Sequence, residues 1–202
     1  MRTRTLVVAL TLVLVAGSAG ADEKTKKAAG QQPMDEKAMT EMWAKLSTPG
    51  EPHKALEPMV GSWNTNVTGW MQPGAAPQTS TGTSENRWTM GNRFIEQRFT
   101  GSWMDQPFEG LGYTGYDNVK KKYVGTWMDS MGTSIMYSTG SADASGKGMT
   151  FTSKMDDPMT GKEMNVKQVV KIVDNNKHTF EMWTAGPDGK PFKMMEIEYT
   201  RK

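Results

Sequence analysis

The chain has no cysteine, and its 202 residues contain only two histidines. Without cysteine it has no disulfide, no thiol nucleophile and no cysteine metal site. His53 and His178 are far apart, and neither has a second histidine at the spacing of a metal ligand. We therefore expect no metal, no cofactor and no histidine-based catalytic triad.

An excess of charge of one sign is also missing. The 24 basic residues nearly balance the 22 acidic ones. Residues 1–21 contain two of the arginines and no acid, so the remaining 181 residues are formally neutral. Basic residues do not outnumber acidic ones after residue 21, and the sequence therefore predicts no nucleic-acid partner.

Long hydrophobic runs are absent except at the start. Two arginines precede the apolar segment 6–16, and small residues at 19–21 form a cleavage site. This pattern is typical of a signal peptide over residues 1–21, removed after Ala21. The sequence thus predicts a periplasmic or secreted protein with no transmembrane segment in the mature chain. Residues 22–33 are charged and small, which predicts a disordered linker.

Residues 34–59 form a predicted helical segment. Met39, Met42 and Trp43 recur near helical spacing, so that one face of the first helix is apolar. A stop follows at residues 48–50, and Pro52 suits the start of a second, short helix. We expect the apolar face of the first helix to cap an open end of the domain that follows.

Residues 60–202 are predicted to form that domain, a mainly β structure. Marked turns separate strand candidates at 61–71, 79–90, 93–103, 106–116, 122–129, 133–141, 148–155, 163–173, 178–184 and 192–201. The short connections favour neighbours paired in sequence order. The fold prediction is a ten-stranded antiparallel up-and-down barrel of lipocalin type. A two-sheet sandwich would need longer crossovers.

A ligand cavity is the kind of site that a small closed barrel offers. Several strands place aromatic and charged side chains together, a combination that orients a small ligand. The predicted cavity-lining residues are Trp63, Arg87, Trp127, Asp129 and Tyr137. The faces of Arg87 and Tyr137 depend most on register, because a shift of one residue inverts them.

Two other motifs have simpler interpretations. Residues 110–115 match G-x-G-x-x-G, but a turn into another strand follows where a dinucleotide site needs a helix. These glycines more plausibly allow the strand to bend. The 18 methionines could bind Cu(I) through their thioethers, or could replace leucine as flexible core residues.

Several segments together resemble a bacterial family of secreted proteins, domain of unknown function 1579. They are HKALEPMVGSW at 53–63, NRWTMGNRF at 86–94, PFEGLGYTGYDNVKKKYVGTWMDSMGT at 107–133, DPMTGK at 157–162, and the stretch from FEMW at 180–183 to residue 202. The resemblance covers about residues 48–202. It implies a lipocalin-like barrel and no particular activity.

A more distant resemblance is to nitrobindins, ten-stranded haem barrels whose first strand also opens with glycine–x–tryptophan. The resemblance would place their proximal histidine at Met194 in the last strand. A thioether at that position does not predict haem chemistry.

These observations favour a binding protein over an enzyme. The predicted ligand is a small apolar or amphipathic molecule held in the barrel. One alternative is a hydrolase or isomerase that uses cavity carboxylates, with Glu96 and Asp129 as candidates. Another is a filled structural barrel of the cell envelope without a ligand. The oligomeric state is left open.

Overall fold

The computed structural model describes residues 35–157 and 160–202. The predicted signal peptide and linker, residues 1–33, lie outside the described residues, as does the first residue of the predicted helical segment. No helix among the residues described is long and apolar enough to cross a membrane.

Three short helical elements precede the sheet. Helix α1 spans Glu36–Ser47 and is capped by Asp35, whose carboxylate accepts the backbone N–H of Ala38 at 2.7 Å. Helix α2 spans Glu51–Lys54, and a 3₁₀ turn follows at Glu57–Met59. We call residues 51–59 the cap segment.

Ten strands form the rest of the described chain. They are β1 Gly61–Gly69, β2 Gln78–Thr89, β3 Phe94–Trp103, β4 Gln106–Asp117, β5 Lys122–Asp129, β6 Met136–Ala142, β7 Gly148–Asp156, β8 Glu163–Asp174, β9 Lys177–Ala185 and β10 Pro191–Arg201. Each strand pairs antiparallel with its neighbours in sequence, and β10 pairs with β1 to close the ring. The predicted ten-stranded up-and-down barrel is confirmed.

Alternation along each strand separates the interior of the barrel from its surface. On β1, Trp63, Thr65 and Val67 are buried, and the residues between them face outward. Val67 lies opposite Ile197 of β10, so the interior face continues across the closure. A single ring of hydrogen-bonded strands leaves no free sheet edge among the ten.

The cap segment covers one end of the barrel, which we call the covered end. Leu56 is fully buried there and anchors the main hydrophobic cluster. The other buried members of the cluster are Ile95, Tyr123, Met149, Phe151, Val170 and Ile172. His53 is also buried, and its Nδ1 accepts the backbone N–H of Gly50 at 3.1 Å. The opposite end, where β5 and β7 finish, is the open end.

Helix α1 does not cap the barrel, contrary to the sequence prediction. It has no buried residue, and Trp43 remains 63% exposed. The side-chain amide of Asn118, in the β4–β5 turn, donates to the carbonyls of Leu46 and Thr48 at 2.9 Å each. This contact holds the end of α1 beside the covered end. The methionines and the tryptophan of the predicted apolar face of α1 stay exposed, and the cap segment occupies the place that they were expected to fill.

Candidate functional site

A cavity of about 510 Å³ extends through the barrel from the open end down to Met59 of the cap segment. Its size lies within the usual range for sites that bind small molecules. The wall is mostly apolar, with a few polar groups at its inner end. A closed barrel of ten strands therefore leaves room for a ligand in this chain, and its interior is not solidly packed.

Methionine and aromatic side chains make up most of the wall. Eight methionines line the cavity, and those towards the open end are Met131, Met136, Met155, Met182, Met194 and Met195. The phenylalanines and tryptophans of the wall are Phe99, Trp103, Phe108, Trp127, Phe151 and Phe180. Thioether side chains are flexible and polarisable, so this wall can adapt to ligands of different shape.

Trp127 has a defined position in this wall. Its Nε1 donates to Oδ2 of Asp129 at 2.9 Å, and Oδ1 of the same carboxylate accepts the backbone N–H of Met131 at 2.9 Å. The indole lies over Gly110 and Gly112, where a Cβ on either residue would meet the ring. The G-x-G part of the glycine motif therefore makes room for Trp127.

A chain of interior hydrogen bonds connects the cavity to the cap segment. Nε2 of Gln97 donates to the phenol oxygen of Tyr199 at 3.3 Å and to Oγ of Ser84 at 3.0 Å. Ser84 in turn donates to Oδ1 of Asn86 at 2.7 Å, and Nδ2 of Asn86 donates to the carbonyl of Met59 at 2.9 Å. These bonds fix the polar side chains at the inner end of the cavity, because an interior polar group without partners is costly.

His178 lies at this inner end and is 2% exposed. Its ring stacks on Tyr199, with 4.2 Å between the centroids, and meets Trp63 edge-on at 4.3 Å. Burial, with a smaller contribution from the charge of Arg201, lowers the pKa of His178 to about 4. The imidazole is therefore neutral at physiological pH. Burial likewise raises the pKa of Tyr199 to about 12.

The charge of Arg201 acts on His178, but the N–H donors of the Arg201 guanidinium are bound to backbone carbonyls. Its guanidinium donates to the carbonyls of Val60, Pro58 and Asn175 at 2.9, 3.3 and 2.7 Å. The same group lies over the Trp63 ring, 4.2 Å from its centroid. Arg201 therefore ties β10 to the cap segment and does not line the cavity.

The structure brings together two of the five predicted site residues. Trp127 and Asp129 line the cavity, and a role for them in binding stays a prediction. Trp63 is fully buried but lies at the covered end, where its Nε1 donates to the carbonyl of Met59 at 3.0 Å. It packs against Arg201 and His178 and does not line the cavity.

Arg87 lies on the outer face of the barrel, which corrects its predicted place in the cavity. Its Nη2 is 2.8 Å from Oε1 of Glu96, which also accepts Nε of Arg98 at 2.8 Å. The phenol of Tyr113 donates to Oε2 of Glu96 at 3.0 Å. Hydrogen bonds from Arg87, Arg98 and Tyr113 lower the pKa of Glu96 to about 2. The Glu96 carboxylate, a candidate catalytic group, therefore lies on the outer face of the barrel, largely covered by its ion-pair and hydrogen-bond partners.

Tyr137 also lies on the outer face and is 50% exposed. It borders a shallow surface groove with Ile135 and Lys154. The cavity side of β6 instead carries Met136 and Ser138. Both misplaced residues belong to strands with small polar side chains on each face, where no apolar period fixes the register.

Sequence reasoning missed the polar inner end of the cavity. Gln97, His178 and Tyr199 line it together. Gln168 lies further towards the open end, opposite Met182. Alternation on β9 could have found His178, since Phe180 and Met182 continue the same face. No group of three or more metal-binding side chains occurs within residues 35–157 and 160–202.

Comparison with one solved structure supports the barrel architecture. The crystal structure of Rv2717c from M. tuberculosis is similar, with a TM-score of 0.54 and 16% identity over 77% of this chain and 99% of that one. A redesigned β-barrel aligns over 73% of this chain and 95% of its own, with a TM-score of 0.38 and 16% identity. No curated protein matches the chain. The distant resemblance to nitrobindins stays a prediction.

Family membership follows from the sequence match. Residues 48–201, which include the cap segment and all ten strands, match the family described as "Protein of unknown function (DUF1579)". This range agrees with the resemblance drawn from the sequence motifs. The chain belongs to the DUF1579 family.

Proposed function

We propose that the barrel binds a small apolar or amphipathic molecule in its cavity, which enters through the open end. The single observation that carries this proposal is the cavity of about 510 Å³ inside the barrel, with a mostly apolar wall. Transfer of an apolar ligand from water into such a space is favourable, at about 25 cal/mol per Å² of apolar surface buried. The few interior polar groups would orient the ligand.

Binding of the neutral fluorescent probe N-phenyl-1-naphthylamine tests this proposal. We expect one probe per chain and quenching of tryptophan emission. The Trp127→Ala substitution should weaken binding by about 1–3 kcal/mol, because it removes a large apolar contact from the wall. Trp43→Ala is the matched control, since Trp43 lies on α1 and is 63% exposed.

The results separate the competing functions. Absence of probe binding would contradict the proposal and favour a structural barrel. Equal affinities of wild type and Trp127→Ala would place the probe elsewhere. Two carboxylates were candidates for an enzyme. Glu96 lies on the outer face of the barrel, away from the cavity. Asp129 lines the cavity, but both of its oxygens already accept hydrogen bonds. The geometry therefore favours binding over catalysis.

We further propose export to the periplasm or beyond the cell, with cleavage after Ala21. The composition of residues 1–21 supports this. N-terminal sequencing of the exported protein should begin at Asp22. Recovery of the intact Met1 from the envelope fraction would contradict it.

A further inference from the structure

Two buried polar atoms inside the barrel have no hydrogen-bond partner within the described part of the chain. They are Nδ1 of His178 and Oγ1 of Thr65, both on residues that are 2% exposed. Buried polar groups are nearly always paired, so each exception needs an explanation. The neighbouring interior polar groups, from Gln97 to Met59, have hydrogen-bond partners, and these two atoms differ from them in having none among the described residues.

Both atoms belong to one row of residues across three paired strands. Thr65 of β1 lies opposite Tyr199 of β10, and Tyr199 lies opposite His178 of β9. Residues directly opposite each other in an antiparallel pair share a face. The two unpartnered groups therefore lie on the same interior wall, on either side of the Tyr199 phenol. Tyr199 and His178 line the inner end of the cavity.

The charges around the cavity restrict what this wall can receive. No lysine or arginine lines the cavity within the described residues, and its charged lining residues are Asp129 and Asp156 near the open end. The imidazole of His178 is neutral, and the donors of Arg201 are bound to three backbone carbonyls. A carboxylate or phosphate at the inner end would be buried without a cation, which is strongly unfavourable.

We propose that the cavity takes an uncharged amphipathic molecule with its polar end first. A hydroxyl or carbonyl group of the ligand hydrogen-bonds to the His178 imidazole at the inner end. The apolar body then lies along the methionines and aromatic rings towards the open end. This orientation gives the imidazole, which lines the cavity, a hydrogen-bond partner there, and it keeps the ligand's apolar surface against the apolar wall. It presupposes the binding function proposed above and specifies the ligand class for that site.

Displacement of bound N-phenyl-1-naphthylamine by dodecan-1-ol and by dodecanoate at pH 7.5 tests the ligand class. The two share one chain and differ in the charge of the polar end. We expect dodecan-1-ol to displace the probe at a concentration at least about tenfold lower than dodecanoate.

The position of the polar end needs a second readout, because the alcohol is also the more apolar of the two molecules. The ¹⁵N chemical shifts of His178 should change when dodecan-1-ol binds to the wild-type protein. His53 is the internal control, because its Nδ1 already accepts a hydrogen bond from Gly50 in the cap segment. The shifts of His53 should stay constant.

A substitution completes the test. His178→Phe keeps an aromatic ring between Trp63 and Tyr199 and removes both nitrogens. It should weaken dodecan-1-ol binding about five- to tenfold, and it should change the affinity of the probe, which has no hydroxyl or carbonyl group, much less. Thr179→Val, on the outer face of the same strand, should change neither affinity.

The outcomes distinguish the two proposals. If the probe does not bind, both fail. If the probe and the alcohol bind but the His178 shifts do not move, the cavity binds ligands and the orientation is wrong. If dodecan-1-ol and dodecanoate displace the probe equally well, the cavity binds ligands but the proposed preference for an uncharged ligand is wrong.

Discussion

At the scale of single residues, two ionisable groups have pKa values displaced by opposite environments. His178 is desolvated inside the barrel, which lowers its pKa to about 4. Glu96 lies on the outer face, and its hydrogen bonds to two arginines and a tyrosine lower its pKa to about 2. The neutral imidazole and the charged carboxylate are each the form that the folded state favours.

Stability should therefore fall as the pH decreases below about 6.5. Unfolded His178 takes up a proton near its ordinary pKa of 6.5, whereas folded His178 does so only near 4. Between these two pKa values the unfolded chain binds more protons than the folded chain. This difference lowers the free energy of unfolding by about 2–3 kcal/mol at pH 4.5. Urea titrations at pH 7.5 and 4.5 should show this loss in the wild type.

The matched variant is His178→Phe, which should lose correspondingly less stability between the two pH values. Glu96 does not interfere, because its contribution is present above its unfolded pKa of about 4.5 and is lost only as the pH falls towards 2. Parallel pH profiles for wild type and variant would show that His178 is not the group responsible.

At the scale of elements, the two helical parts of the N-terminal segment behave differently. The cap segment inserts Leu56 into the main cluster, where it is fully buried. Helix α1 contacts the barrel through the β4–β5 turn and keeps its apolar face exposed. Burial of apolar surface, and not helix length, decides which of the two stabilises the barrel.

Leu56→Ala should reduce the free energy of unfolding by about 2–5 kcal/mol, because it leaves a cavity in the core. Trp43→Ala removes a larger side chain but should change stability by less than about 0.5 kcal/mol. Urea unfolding of both variants measures the difference. A larger loss for Trp43→Ala would mean that α1 packs on the barrel in solution.

The positions of the strands could be predicted from the sequence, but for some strands the face that points into the barrel could not. On β5, Tyr123, Gly125 and Trp127 share one face and alternate with Val124, Thr126 and Met128, and the first set faces the interior. On β2 and β6 small polar residues occupy both faces, so the sequence contained no period from which to place Arg87 and Tyr137. The unpartnered state of His178 depends on three strands that meet only in the fold, and no local pattern reports it.

At the scale of the whole molecule, Arg201 connects the last strand of the barrel to the segment that precedes the first strand. Its side chain binds carbonyls of the cap segment, of Val60 before β1, and of the β8–β9 turn, while its backbone lies in β10. The same guanidinium covers Trp63 of β1. One residue thus supports both the ring closure and the covered end.

Arg201→Ala should lower the free energy of unfolding by about 2–4 kcal/mol, because three carbonyls lose a charged donor and Trp63 loses a contact. Arg98→Ala is the control: it removes one partner of Glu96, which Arg87 and Tyr113 still bind, and should cost much less than Arg201→Ala. Equal losses in urea unfolding would contradict the role of Arg201.

The pairing of β1 with β10 has a consequence for synthesis on the ribosome. Val60 and Arg201, whose contact lies at this closure, are 141 positions apart. A nascent chain that has exposed β1 to β9 carries two unpaired strand edges until β10 emerges. Strand β1 is made first and waits longest for its last partner, and during that interval the growing chain is most exposed to aggregation and most in need of a chaperone.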